Sequence, residues 1–397
     1  MELNKLIELD GLAKAGVRQY ERRRKLYDEL TADAGRHFIG IIGPRGVGKT
    51  TILKQLALHF ANSFYISMES FDGNMFDVIK ELKEKLKIET FFLDEVHSYG
   101  NFDKEIQSVY ELLNVKIFFT SSTALSMSKY KNDMSRRLIL KALYPFSLRE
   151  YVEFKNKTKI APFEFEDFIN KKAPSELLPL GQYFEPYIKG GLMPFALEEP
   201  DVMALLKNVL DAVIYKDIPR INKNITVEEL DIINKLVRFI GISAVDGINY
   251  SSVSRNLGIT KYKAEQYISL LEQAFILQVV FPQGTNVLKE PKILMSLPYR
   301  LLYKEFEQAL GGLREDFFAQ TCKMFGKNVS YLKSTLGAKT PDYVLSDRNI
   351  VFEIGGKGKG RSQFKGFKAD RKVLLIDSYN SNLPDKKPLF ALGLVND

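Results

Sequence analysis

The sequence predicts an α/β chain of several domains whose first part is a P-loop NTPase core. Three observations predict it. The stretch "FIGIIGPRGVGKTTILKQLALHF", residues 38 to 60, runs strand, glycine-rich turn and helix in the order that a phosphate-binding loop requires. Downstream, "ETFFLDEVHSYGNFDKEI" ends an apolar strand on two adjacent carboxylates. With 397 residues at 45% hydrophobic content, the chain has material for about two to four domains.

The phosphate loop comes first. Gly43, Gly48, Lys49 and Thr50 fit G-x-x-x-x-G-K-[ST], with Pro44, Arg45, Gly46 and Val47 filling the loop and Thr51 following. "HFIGII" is short, apolar and β-branched, as a buried strand should be, and Ile52, Leu53, Leu56 and Leu58 recur at helical spacing. Glycines let backbone N–H groups turn inward, the helix presents its positive end, and Lys49 adds a charge for the β and γ phosphates of ATP. Thr50 offers a hydroxyl to Mg²⁺. A ligand-free turn is the bland alternative, and motif and flanks argue against it together.

Hydrolysis needs an acidic element on a neighbouring strand. Phe91, Phe92 and Leu93 end such a strand, so Asp94 is expected in the magnesium shell and Glu95 as the base that orients and deprotonates water. The next strand, "VKIFFTSSTALSMSK", ends in Thr120, Ser121 and Ser122; Ser121 is the candidate sensor of the γ-phosphate, although short polar residues also form ordinary turns. Arg136 and Arg137 precede another apolar alternation. Either is a candidate arginine finger toward a neighbouring subunit or a plain surface arginine.

These residues resemble those of prokaryotic AAA-type ATPases that carry a C-terminal domain of unknown function with a restriction-endonuclease-like fold. The resemblance rests on "GPRGVGKTT", "FFLDEVHSYGNFDKEI", "SRRLILKALYPFSLREY", "YIKGGLMPF" and "IYKDIPR", and it covers nearly the whole chain. It implies an AAA-type core, a helical lid, a winged helix-turn-helix and a nuclease-like α/β tail. It also maps the finger best onto Arg137, with Arg136 where glycine is more usual.

The remaining segments are read in the same way. "VRQYERRRKLYDEL" is expected to place its arginines on one solvated helix against the core, or on a basic helix touching DNA. From Pro145 to about Asn222 a Phe-, Tyr- and Glu-rich stretch reads as lid and connector, broken at "KKAPSELLPLGQY" and "KGGLMPF". Residues 226 to 282 show three amphipathic helices and a β-prone run, the order of a winged helix-turn-helix. Ser251 is expected to cap the second helix and Thr260 the third, with Lys261, Tyr262, Lys263 and Gln266 toward a major groove.

In the last segment a helix, "GLREDFFAQTCKMF", precedes short strands with carboxylates at their ends. The positions that match a nuclease-like site are Glu315, Asp342 and Glu353, which would gather around Mg²⁺. Gly355 stands where lysine is usual, and Lys357 is the nearest lysine; it would have to reach back, or the strand bend at the glycines. Gln363 falls where such folds place a polar residue. Seven lysines or arginines against one aspartate between Ile354 and Lys372 suit phosphate contact or a solvated surface.

Composition sets the outer bounds. One cysteine, Cys322, forms no internal disulfide, and His37, His59 and His97 lack zinc-ligand spacing. The opening "MELNKLIELDGLAKAG" has no leader pattern and no run of about 18 apolar residues occurs, so a cytoplasmic protein without a membrane segment is expected. A net charge of +8 and a pI of about 9.1 favour polyanions mildly.

The expected organisation is an AAA-type domain with its N-terminal helix over residues 1–150, lid and connector over 151–224, winged helix over 225–285 and restriction-endonuclease-like domain over 286–397. The expected function is Mg²⁺-dependent ATP hydrolysis coupled to DNA binding, in a chain that could form a homo-oligomer. The alternative is a nucleotide-controlled switch that docks a protein partner.

Overall fold

The computed structural model describes residues 3–122, 136–284, 290–333, 340–345, 347–378 and 382–396. The chain divides into two compact units, Met1–Tyr144 and Pro145–Asp397.

In the first unit, β1 (Phe38–Ile42), β2 (Ser63–Ser67), β3 (Thr90–Asp94), β4 (Lys116–Ser121) and β5 (Leu138–Ala142) form one parallel sheet in the order β2-β3-β4-β1-β5. The strands read as continuous apolar runs because both faces are covered. Phe91 and Leu93 join Ile79, Leu82, Ile106 and Val109 of helices α4 (Met75–Leu86) and α5 (Phe102–Leu112). On the opposite face Phe92 stacks on Phe118 at 5.2 Å, with Phe60 beside them. All five strands point the same way, so the segments after β1, β3 and β4 gather at one sheet edge, where open α/β sheets bind ligands.

The N-terminal segment departs from the expectation of one arginine-rich helix. Helix α1 (Leu3–Gly16) tightens into a 3₁₀ turn, Val17–Gln19, and after a non-helical stretch over residues 20–24 the chain turns helical again in α2 (Lys25–Thr31). The cause lies in helix α3 (Lys49–His59), where Gln55 Nε2 donates to the carbonyls of Tyr20 and Arg22 at 2.8 and 2.9 Å. Arg24 donates to the Val47 carbonyl at 3.1 Å and the Tyr144 carbonyl at 3.0 Å, bracing the glycine-rich loop.

The second unit opens with a capping box. Ser147 Oγ accepts the Glu150 N–H at 3.1 Å and Glu150 Oε2 accepts the Ser147 N–H at 3.2 Å, which starts the helix Leu148–Asn156. The "YIKGGLMPF" motif is also a packing device: a Cβ on Gly191 would lie 2.7 Å from the Tyr151 ring. Three helices follow, Val227–Ile242, Tyr250–Leu257 and Lys261–Gln273, with the antiparallel pair β6 (Leu277–Val280) and β7 (Lys292–Met295). They enclose Val237, Ile240, Val253, Ile268, Leu271 and Ile276. Thr260 caps the third helix as expected, whereas Asn249, not Ser251, caps the second through its side chain and the Ser252 N–H at 2.8 Å. The helix begins two residues earlier than expected, at Tyr250, and the Ser251 hydroxyl donates instead to Glu290 at 2.7 Å.

Beyond them the helix Phe306–Met324 packs on a mixed sheet of β8 (Val329–Tyr331), β9 (Tyr343–Leu345), β10 (Ile350–Gly355), β11 (Arg371–Ile376) and β12 (Lys386–Pro388). The order is β12-β11-β10-β9-β8; β8, β9 and β10 pair antiparallel, and β10, β11 and β12 parallel. Phe318 meets Tyr343 and Phe352 at 5.0 and 5.1 Å. A fully buried ion pair ties this helix to the three-helix module, with Arg300 Nε on Asp316 Oδ2 at 2.6 Å and Nη2 on Oδ1 at 3.1 Å. Removing either partner would strand a buried charge, at a cost of roughly 3–5 kcal/mol.

Candidate nucleotide site

The loop between β1 and α3 is shaped by backbone that only glycine adopts easily. Gly46 and Gly48 have φ of 80° and 88°, in the left-handed region. Gly43 is required for a different reason, since a Cβ there would lie 2.0 Å from the Leu143 carbonyl oxygen. Val47 is buried beneath the loop, and Pro44 and Arg45 continue it. Lys49 begins α3 and its buried ammonium donates to the carbonyls of Gly43 and Pro44 at 2.9 and 2.8 Å. Thr50 and Thr51 follow in the first turn, at the helix end whose unpaired N–H groups favour phosphate.

At the end of β3, Asp94 is buried and held from two sides. Thr120 Oγ1 donates to Asp94 Oδ1, and the Tyr65 hydroxyl donates to Oδ2 at 2.8 Å. Burial and the Asp94 charge push the Tyr65 phenol well above its ordinary pKa, so it remains a donor. A carboxylate has about four lone-pair positions, so these two bonds leave Asp94 able to accept more, and with Thr50 it offers the oxygen donors that Mg²⁺ takes. Glu95 adopts φ 56° and ψ 46°, a left-handed conformation costly for a residue with a Cβ, and its N–H donates to Thr120 Oγ1 at 2.9 Å. His97 Nε2 lies 3.3 Å from Glu95 Oε2 and 3.2 Å from Ser122 Oγ.

Of the expected site residues in this unit, the structure places Lys49, Thr50, Asp94, Glu95 and Ser121 at one sheet edge. Ser121 is buried in register with Ile42, the last residue of β1. Its neighbour Thr120 makes the contacts to the acidic pair, and Ser122 makes one to His97. Tyr65 and Thr120 escaped sequence reading as ligands of Asp94, because their contacts span 29 and 26 residues.

Arg137 is elsewhere. It precedes β5, and its carbonyl accepts the Phe38 N–H at 2.7 Å, so it sits at the opposite strand end from the loop. Its guanidinium pairs with Glu111 at 2.8 Å and lies over the Tyr110 ring at 5.5 Å. Arg136 is exposed. Action on a phosphate bound to the same chain is excluded for Arg137 by this geometry.

In the second unit Glu315 and Asp342 line one cavity and the Glu353 charge acts on Asp342, but the lysine that joins them is not the expected Lys357. Among the described residues no group of three or more His, Cys, Asp or Glu side chains is placed to hold a metal ion. Glu315 is diverted, its Oε2 bonded to Lys292 at 2.5 Å and to the Tyr343 hydroxyl at 2.6 Å. Asp342 Oδ2 accepts the Ile354 N–H at 2.8 Å; burial and the Glu353 charge push its pKa up to about 7. Glu353 is fully buried and pairs with Lys359 at 2.6 Å, not with Lys357. The chain turns after β10, with the Lys359 N–H on the Gly356 carbonyl at 3.0 Å, and the Lys359 stem packs where Gly355 lacks a Cβ. A cavity of about 330 Å³ lies here, lined in part by Glu315, Asp342, Gly355, Lys359, Arg314 and Lys304. Gln363 is partly buried on the loop that follows.

Lys261, Tyr262, Lys263 and Gln266 are exposed on the helix Lys261–Gln273, as expected. Both lysines carry carboxylate partners: Glu290 for Lys261, and Glu229 for Lys263 at 3.0 Å. Among the described residues no helix is long and apolar enough to cross a membrane.

Residues 35–152 match the AAA domain family and residues 181–296 match a domain of unknown function (DUF8612). No curated protein matches the chain. Among solved structures, it is similar to the Thermotoga maritima RuvB Holliday junction branch migration motor at 13% identity, over 72% of this chain and 91% of that one, with a TM-score of 0.27. Similarity to the S. cerevisiae Hsp104-ADP complex is 15% identity over 66% of this chain and 40% of that one, TM-score 0.32. For AMPPCP-bound DnaA from Aquifex aeolicus the values are 14%, 62%, 86% and 0.26. Likeness at these scores carries no argument, and the assignment rests on the family match and on the residues at the sheet edge. Residues 35–152 are an AAA-type P-loop ATPase domain.

Proposed function

We propose that the chain is a Mg²⁺-dependent ATPase whose hydrolysis cycle works on DNA through its second unit. The observation that carries the hydrolytic part is the meeting of Lys49 and Thr50 on α3 with Asp94 and Glu95 after β3 at one sheet edge. Lys49 attracts the β and γ phosphates and Thr50 and Asp94 hold the metal shell. Bound Mg²⁺ supplies positive charge to the phosphate oxygens. Glu95 orients the water and accepts its proton. Arg137 serves as the finger toward a neighbouring copy in a homo-oligomer, with Arg136 as the alternative, and Ser121 as the sensor.

The working division keeps the lid and connector at 151–224, a winged helix at 225–285 and a restriction-endonuclease-like domain at 286–397. Three capped helices and an antiparallel pair support the second of these, and a helix over a mixed sheet supports the third. With Glu315 diverted and Glu353 held by Lys359, the tail is read as a binding module for nucleic acid in place of a nuclease.

Steady-state ATP hydrolysis with Mg²⁺, with and without duplex DNA at low and moderate salt, tests this reading. Stimulation that fades with salt is expected, since neutralised phosphates release counterions. Turnover indifferent to DNA would overturn the DNA part. One observation favours a second reading, a nucleotide-controlled switch that docks a protein: Lys261 and Lys263 already have glutamate partners. Salt-insensitive capture of a protein partner would support it.

A further inference from the structure

We propose that His97 is a positioning residue for hydrolysis, which orients the Glu95 carboxylate and links it to the end of β4 through Ser122. The inference rests on the reading of Glu95 as the base. The short turn Val96–Ser98 brings the ring back over the residue that starts it, with Nε2 at 3.3 Å from Glu95 Oε2. The His97 side chain is 4% exposed, so water competes little for the contact. The same Nε2 is 3.2 Å from Ser122 Oγ, one residue beyond β4.

One ring nitrogen cannot serve both neighbours in the same way. Carrying the ring hydrogen, Nε2 donates to the Glu95 carboxylate; bare, it accepts from the Ser122 hydroxyl. Thr120, two residues before Ser122, holds the Glu95 N–H and Asp94. The end of β4 therefore governs both the backbone and the carboxylate of the base, and it lies beside the strand that enters the phosphate loop, with Ser121 opposite Ile42. A shift of β4 on nucleotide binding would reach Glu95 through His97.

Kinetics of the full chain test this. His97→Ala should lower kcat about tenfold or more while the KM for ATP stays within about threefold, because the base is misdirected and the phosphate loop is untouched. His97→Gln places an amide N–H near the Nε2 position and should restore most of the rate. In single turnovers on the Glu95→Gln background, His97→Ala should cost nothing further, since it acts through Glu95. Wild-type kcat in His97→Ala, failure of glutamine to rescue, or an additive loss on the Glu95→Gln background would each overturn the proposal. Should His97→Ala fail to fold, the comparison of His97→Gln with His97→Phe decides: equal rates would overturn it. A wild-type chain that binds ATP without turning it over would overturn the hydrolytic reading and this inference with it, whereas an inactive Glu95→Gln beside a fully active His97→Ala would overturn this inference alone.

Discussion

Thr120 grips Asp94 through its hydroxyl, and the same oxygen accepts the Glu95 N–H at 2.9 Å. One side chain thus fixes the Asp94 carboxylate relative to the Glu95 backbone, and Glu95 keeps its left-handed conformation because neighbours enforce it. Thr120→Val keeps the shape and deletes both bonds. It is expected to lower turnover by about ten- to a hundredfold. Denaturant titration should show about 1.5–3 kcal/mol less stability, the range for a lost hydrogen bond to a charged group. Turnover equal to wild type would show that Asp94 and Glu95 hold their places without it.

Lys49 and Glu95 separate binding from chemistry. Lys49→Ala should abolish turnover, and undiminished hydrolysis would sink the phosphate assignment. Glu95→Gln should bind ATP with little change and hydrolyse it roughly 10²- to 10⁴-fold more slowly, the span of general-base contributions. Fluorescent-nucleotide titration beside steady-state rates reads both, and loss of binding in Glu95→Gln would count against its role as base.

Four strand intervals put about 13 Å between the levels of Leu138 and Ala142 in β5. Arg137, before Leu138, can meet a phosphate only on another copy. Turnover per chain is therefore expected to rise with protein concentration, and Arg137→Ala should lose that rise, by roughly 10³-fold in a fully assembled sample. Glu111→Ala, which removes the partner of Arg137 in its own chain, should leave the rise in place. Concentration-independent rates, unchanged in both Arg136→Ala and Arg137→Ala, would make these surface arginines.

Asp342 should make stability depend on pH. With its pKa pushed up to about 7 by burial and by the Glu353 charge, the folded chain keeps a proton that the unfolded chain releases near the ordinary value of 3.8. The stabilisation is fully present below that ordinary value and is lost as pH rises through about 7. Asp342→Asn retains an oxygen for the Ile354 N–H and does not ionise. Its Tm relative to wild type should rise between pH 4 and 7 and level off above, a change on the order of a few kcal/mol. A difference flat with pH would remove the raised pKa.

Runs of neighbouring residues carried most of what could be read in advance. A strand, a glycine turn and a lysine at a helix start are adjacent in the chain, so their order is visible before folding, and the same holds for Asp94 and Glu95 after an apolar strand. Helix caps were legible to within a residue or two, which is why Thr260 stands as expected and Ser251 yields to Asn249. Folding alone settled the contacts between distant elements. Tyr65 and Thr120 reach Asp94 only because parallel pairing sets β2, β3 and β4 side by side. Lys359 displaces Lys357 because the chain doubles back over a glycine. Glu315, on a helix, is bonded by Lys292 and Tyr343, which approach it from β7 and β9. Periodicity and motif spacing record what each segment is, whereas the partner of a carboxylate depends on which side chains the packed sheet brings within about 3 Å, a distance that has no counterpart along the chain.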